Sequence, residues 1–127
     1  VRALAISGND LYVGGAFTQA GGAPASRIAR WDGNNWSSLG SDSSNGVSDI
    51  VYALQVSGSD LYVGGAFTQA GGSAANRVAR WNGSGWSTLG TGSSNGVNNL
   101  VRSFAVIAGD LYVGGSFNLA GGARPIA

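Results

Sequence analysis

Cysteine, histidine, methionine, lysine and glutamate are all absent from these 127 residues. Without cysteine no disulfide can form, and the chain carries no redox signature of a compartment. Without cysteine or histidine no thiolate or imidazole metal site can be built. The missing histidine also removes the side chain most used for general acid–base catalysis. Lysine and glutamate favour helix surfaces, so their absence argues against long solvated helices. Charge is scarce: the chain holds seven Arg and six Asp, and its net charge is +1. That leaves no basic field to hold nucleic acid and no acidic field to gather cations. No apolar run approaches the roughly 20 residues that cross a bilayer as a helix, so no membrane insertion is expected. The first residues, from Val1, do not read as a signal peptide.

What the chain does contain is glycine, 23 residues of it, and a hydrophobic share of 43%. Glycine usually makes up about 7% of a sequence, so many tight turns or close backbone approaches are expected here. The hydrophobic share argues against disorder.

The glycines recur in register. Residues 1–50 and 51–100 align without a gap and are identical at 33 of 50 positions, and residues 101–127 begin a third copy. Leu11-Tyr12-Val13-Gly14-Gly15 returns at Leu61 to Gly65 and at Leu111 to Gly115. Arg27, Arg30, Trp31 and Trp36 return as Arg77, Arg80, Trp81 and Trp86. So close a match marks one structural unit used repeatedly.

Each unit reads as four short strands. The first is Val1–Ser7, with Leu4 and Ile6 on one face and Val1, Ala3 and Ala5 on the other. Both faces are apolar, so both are expected to be covered. Ser7-Gly8-Asn9-Asp10 is a hairpin turn. The second strand is Asp10–Phe17, whose Gly14-Gly15 pair invites a close neighbour. A loop over Thr18–Ser26 leads to a third strand, Arg27–Trp31. Asp32-Gly33-Asn34-Asn35 is a second hairpin turn, and Trp36–Gly40 is the fourth strand. A polar connector, Ser41–Asp49, reaches the next unit. Four antiparallel strands at a period near 50 is the arithmetic of a β-propeller. The expected architecture is therefore an all-β propeller segment: blade 1 over residues 1–50, blade 2 over 51–100 and a partial blade over 101–127.

A strand ending in Gly-Gly, then a strand with an aromatic, then a Trp opening the last strand resembles the kelch or galactose-oxidase type of blade. The residues are Tyr12, Gly14, Gly15, Trp31 and Trp36, with Tyr62, Gly64, Gly65, Trp81 and Trp86. The Leu-Tyr-Val-Gly-Gly block with its Trp-rich hairpin is similar to repeats of secreted bacterial surface propellers and of fungal cortical polarity-marker proteins. The resemblance implies the fold and an extracellular or cell-surface setting. It does not carry over the oxidase activity, whose Cys–Tyr cofactor and His ligands have no counterparts here. Propellers close with about four to eight blades. The chain is therefore expected to be an excerpt whose partners are neighbouring blades of a longer parent or other copies.

Strand direction alternates, so the tight turns near Gly8 and Gly33 lie on one side and the two longer loops on the other. Long loops on a rigid scaffold tend to carry function. Their polar residues suit a glycan or protein ligand, and Thr18, Gln19, Ser26, Asn45, Thr68, Gln69, Asn76 and Asn95 are the candidates. Arg27, Arg30, Arg77 and Arg80 admit two readings. They could clamp an anion, or they could pair internally with the repeated Asp10, Asp60 and Asp110 or stack on tryptophan. Recurrence in each blade favours the internal reading. Trp36 and Trp86 could stack sugar rings, but an aromatic in that position is expected to pack between blades. Asp42-Ser43-Ser44-Asn45-Gly46 is rich in oxygen but lacks calcium-loop spacing, and Gly92 replaces Asp42 in the second copy. The sequons at Asn35 and Asn82 fall in turns where Asn and Ser are common.

No catalytic residue, metal or cofactor is expected. The function that emerges is a non-enzymatic scaffold binding a ligand through its long-loop face. Two alternatives stand beside it: a structural repeat of a surface layer or filament, and part of an enzyme whose catalytic residues lie outside this segment.

Overall fold

Strand formers alternate with turn formers along each unit, and the chain folds accordingly. The computed structural model describes residues 2–40, 45–88, 96–97, 99–107 and 110–115. Blade 1 holds β1 (Ala3–Ser7), β2 (Asp10–Gly14), β3 (Gln19–Ala20), β4 (Ala23–Pro24), β5 (Ile28–Trp31) and β6 (Trp36–Ser38). Blade 2 repeats them as β7 (Val51–Ser57), β8 (Asp60–Gly65), β9 (Gln69–Ala70), β10 (Ser73–Ala74), β11 (Val78–Trp81) and β12 (Trp86–Thr88). The third unit contributes β13 (Val101–Ile107) and β14 (Asp110–Gly115).

Both complete blades are four-stranded antiparallel sheets, ordered β1-β2-β5-β6 and β7-β8-β11-β12, and β13 pairs with β14. Consecutive long strands pair directly, as hairpin-connected strands should. The loop over Thr18–Ser26 is not wholly irregular, because β3 and β4 form a two-stranded ribbon within it. The third strand starts at Ile28, one residue later than the sequence pattern indicates. Arg27 sits before it at φ 65°, and Arg77 repeats this at 66°. The fourth strand ends at Ser38, because the Leu39 carbonyl turns away to accept the Gly46 N–H at 2.8 Å.

The core lies between the blades. Tyr12, Ile28 and Leu39 of blade 1 and Val47 of the connector pack with Val51, Leu61, Val63, Phe67 and Trp81 of blade 2. A second cluster, Val78, Val97 and Val101 with Phe104 and Val113, joins blade 2 to the third unit. The first strands β1, β7 and β13 lie side by side. The sheets approach closely because Gly14 and Gly64 have no side chain. A Cβ on Gly14 would lie 2.5 Å from Val51 Cγ1, and one on Gly64 would lie 2.7 Å from the Phe104 ring. Arg2 and Arg102 approach the Tyr52 ring, at 5.3 and 5.6 Å from its centroid, and so link the first strands of all three units.

The expectation that the first strand is covered on both faces fails in blade 1. Leu4 is 61% exposed and Ile6 is 73% exposed. Their counterparts Leu54 and Val56 are packed against the inter-blade core. The sequence pattern identifies an apolar face, but only a neighbouring blade covers it. Trp36 and Trp86 differ for the same reason. Each lies tilted against its neighbour, Trp31 or Trp81, with ring centroids 5.2 Å apart. Among the described residues only Trp86 reaches another blade, donating its indole N–H to the Leu39 carbonyl at 2.8 Å.

The turn after β5 is closed by Asp32, whose carboxylate accepts the Asn35 and Asn34 N–H groups at 2.7 and 2.9 Å. Those N–H groups hold the Asp32 carboxyl below its ordinary range. A group whose folded value is depressed stabilises the fold above its unfolded value, and that contribution disappears as pH falls through the folded value. Asn82 makes the same two bonds in blade 2 without titrating. The Asp32→Asn chain is therefore expected to keep the turn and to show a shallower acid loss of stability. Urea midpoints followed from neutral into acid pH would show it, and parallel curves for the two chains would contradict it.

Candidate binding site at the blade junction

The long-loop side of the sheet is organised by the connector between blades. Ser26, at the end of the loop before β5, donates its N–H to Asn45 Oδ1 at 2.7 Å. Its carbonyl accepts the Val47 N–H at 3.1 Å. On its other side the connector is tied to blade 2. Val47 bridges to Ala70, Ser48 N–H donates to the Gln69 carbonyl at 3.1 Å, and the Gly46 carbonyl accepts the Gly71 N–H at 2.9 Å. Ser48 Oγ accepts the N–H groups of Thr68 and Gln69, both at 3.1 Å.

These segments enclose a hollow of about 260 Å³ lined by Ser26, Arg27, Asn45, Gly46, Val47, Ser48, Gln69 and Gly72. It unites three of the sequence candidates, Ser26, Asn45 and Gln69, from three separate segments. Thr68 adjoins it through its bond to Ser48. Thr18 and Gln19 lie elsewhere. Thr18 accepts the Ala25 N–H through its carbonyl, and Gln19 borders a different, more apolar hollow with Val13, Phe17, Ala20 and Trp36. Asn76 occupies the Ser26 position of the next junction, where its carbonyl accepts the Val97 N–H at 3.0 Å. Asn95 lies outside the described residues. Ser48 was not legible as a site residue, because its role depends on backbone 20 residues downstream. Asn98 also replaces it in the second copy.

The arginines separate into distinct environments. Arg30 pairs with Asp10 at 3.7 Å, and Arg80 pairs with Asp60 at 4.0 Å. Both pairs are partly exposed, so each is worth about 0–1 kcal/mol. They follow from the ladder, in which Arg30 stands opposite Tyr12, two residues beyond Asp10. Arg80 Nε also donates to Ser87 Oγ at 3.1 Å. Tyr12 is held in its neutral form by burial, which pushes its phenol above the ordinary value, while the nearby Arg30 opposes that shift. Arg27 and Arg77 have no carboxylate partner among the described residues.

Antiparallel four-stranded sheets stacked face to face, with their first strands side by side and a core between them, define a segment of a β-propeller. Residues 9–34 and 60–86 match the model of a family described as "Domain of unknown function (DUF5122) beta-propeller". The first stretch runs from the turn before β2 to the turn after β5, and the second from the start of β8 to the start of β12. No curated protein and no solved structure matches the chain.

Proposed function

We propose that this propeller segment is a non-enzymatic scaffold, extracellular or at the cell surface, that binds a glycan through its long-loop face. The observation that carries the proposal is the junction hollow, in which side chains from the loop, the connector and the neighbouring ribbon converge. Hydroxyl and amide groups such as those of Ser26, Ser48 and Gln69 suit sugar hydroxyls, and a rigid sheet holds them in place. The repeat is also read as kelch-like, on Tyr12, Gly14, Gly15, Trp31 and Trp36. A glycan array probed with the full chain tests the function. Specific binding that falls at least tenfold in a Ser48→Ala/Gln69→Ala chain is expected. Array signals that the double substitution leaves unchanged would remove the hollow from consideration, and a blank array would remove the glycan.

A second reading, a structural repeat of a surface layer or filament, is favoured by one feature. The blade 1 face bearing Leu4, Ile6 and Trp36 is exposed, while the equivalent face of blade 2 is covered. Apolar faces of this kind drive association. That reading predicts concentration-dependent sedimentation and ordered polymers under the electron microscope, and a strictly monomeric chain contradicts it.

A further inference from the structure

Of the arginines whose side chains are described, Arg30 and Arg80 face aspartates, and Arg2 and Arg102 approach Tyr52. Among the described residues Arg27 and Arg77 do neither, and both adopt a left-handed backbone, at φ 65° and 66°. That conformation is unfavourable for a residue with a Cβ, and glycine or asparagine adopts it more readily. The backbone there is fixed on both sides. Arg27 N–H donates to the Phe17 carbonyl at 2.8 Å, and the Arg27 carbonyl accepts the Gly15 N–H at 3.0 Å. Arg77 makes the same two bonds, with Phe67 and Gly65, at the same distances. A glycine or asparagine would satisfy that backbone with less strain. Arginine at both positions therefore points to a use for the side chain.

Arg27 lines the junction hollow, and among the described residues no aspartate lines it. Arg77 Nε is buried without a hydrogen-bond partner among the described residues, an arrangement that costs free energy unless a ligand group supplies one. We infer that the hollow holds an acidic sugar, with its carboxylate against the planar fork of Arg27 and its hydroxyls toward Ser48 and Gln69; Arg77 marks the equivalent position in the next blade. The inference rests on the reading of the long-loop face as a glycan site. Guanidinium and carboxylate match in a bidentate geometry that a lysine cannot reproduce. Ser48 Oγ accepts two backbone N–H groups, which leaves its own hydroxyl proton to donate. The volume of about 260 Å³ falls below the roughly 300–1,000 Å³ of pockets for drug-sized ligands, which suits one sugar ring rather than an extended chain.

The test is an NMR titration of the full chain with glucuronate, glucose and acetate. Saturable shifts at Arg27, Ser48 and Gln69 are expected with glucuronate, at an affinity at least tenfold above that for glucose or acetate. An Arg27→Asn/Arg77→Asn chain retains a residue suited to the left-handed backbone and should bind glucuronate no better than glucose. Equal affinity for glucuronate and glucose, or an unaffected double variant, overturns the carboxylate site but leaves a neutral-glycan site standing. Acetate binding as tightly as glucuronate overturns the sugar. No shift with any of the three ends both this inference and the reading beneath it. If the asparagine chain fails to fold, Arg27→Lys/Arg77→Lys takes its place. It keeps the charge and loses the fork, so at least a fivefold loss is expected and an unchanged affinity overturns the inference.

Discussion

Replacing Phe67 with alanine is expected to cost about 3–5 kcal/mol of stability, the usual range for a fully buried phenylalanine. The same replacement at Phe17 should cost only about 1–2 kcal/mol, in line with partial burial. The two residues occupy one position of the repeat, and the ten residues from Leu11 to Ala20 are identical to those from Leu61 to Ala70. Their surroundings differ. Phe67 has no exposed surface and packs with Leu39 and Val47 from the preceding blade and connector. Phe17 is half-buried beside a hollow shared with Val13, Ala20 and Trp36. Stability in a repeat array is a sum of unit terms and interface terms. The difference between the two substitutions thus measures the interface between blades 1 and 2. Urea unfolding of the two variants makes the comparison. Equal losses would mean either that the blades do not pack as described or that another molecule covers blade 1 in solution.

The same contrast shows what could be read in the sequence. A period of 50 residues aligned most β-formers and turn residues with their copies, so the four-stranded antiparallel unit was legible without coordinates. The pairing of Arg30 with Asp10 was also legible, because both recur and antiparallel pairing of β2 with β5 brings them together. Coverage was not. Leu4 and Leu54 share one pattern, yet one is exposed and the other packed, because burial depends on a neighbouring sheet rather than on the strand itself. Arg27 was obscured by backbone conformation. As a strand residue it would have been one more rung beside Arg30. In a left-handed turn it lines the junction instead, and arginine gives no sign of such a turn. Of the candidate site, Ser26, Asn45 and Gln69 could be listed from polar loop composition. Their convergence could not, because it depends on a connector that bonds backward to Ser26 and forward to Gln69 and Gly71.

That connector should be the most sensitive point of the junction to a single methyl group. Gly46→Ala is expected to lower stability by about 3–4 kcal/mol, combining a left-handed residue at about 1–2 kcal/mol with two hydrogen bonds at about 1 kcal/mol each. Gly46 has φ +68°, and an added Cβ would collide with the Ser26 carbonyl oxygen. Backbone cannot move aside as the end of a flexible side chain can. Relieving the collision must displace the connector from Ser26, from Gly71 or from both. Displacement breaks the bond from Val47 N–H to Ser26 and that from Gly71 N–H to Gly46. Gly85→Ala is the control. Nothing lies within 4 Å of its added Cβ and its φ is not in the left-handed range, so it should stay within about 0.5 kcal/mol of the parent chain. Chemical unfolding supplies the two energies, and hydrogen exchange at Val47 and Gly71 identifies the bonds lost. A Gly46→Ala chain as stable as the Gly85→Ala chain, with those amides still protected, would show that the connector does not clamp the two blades.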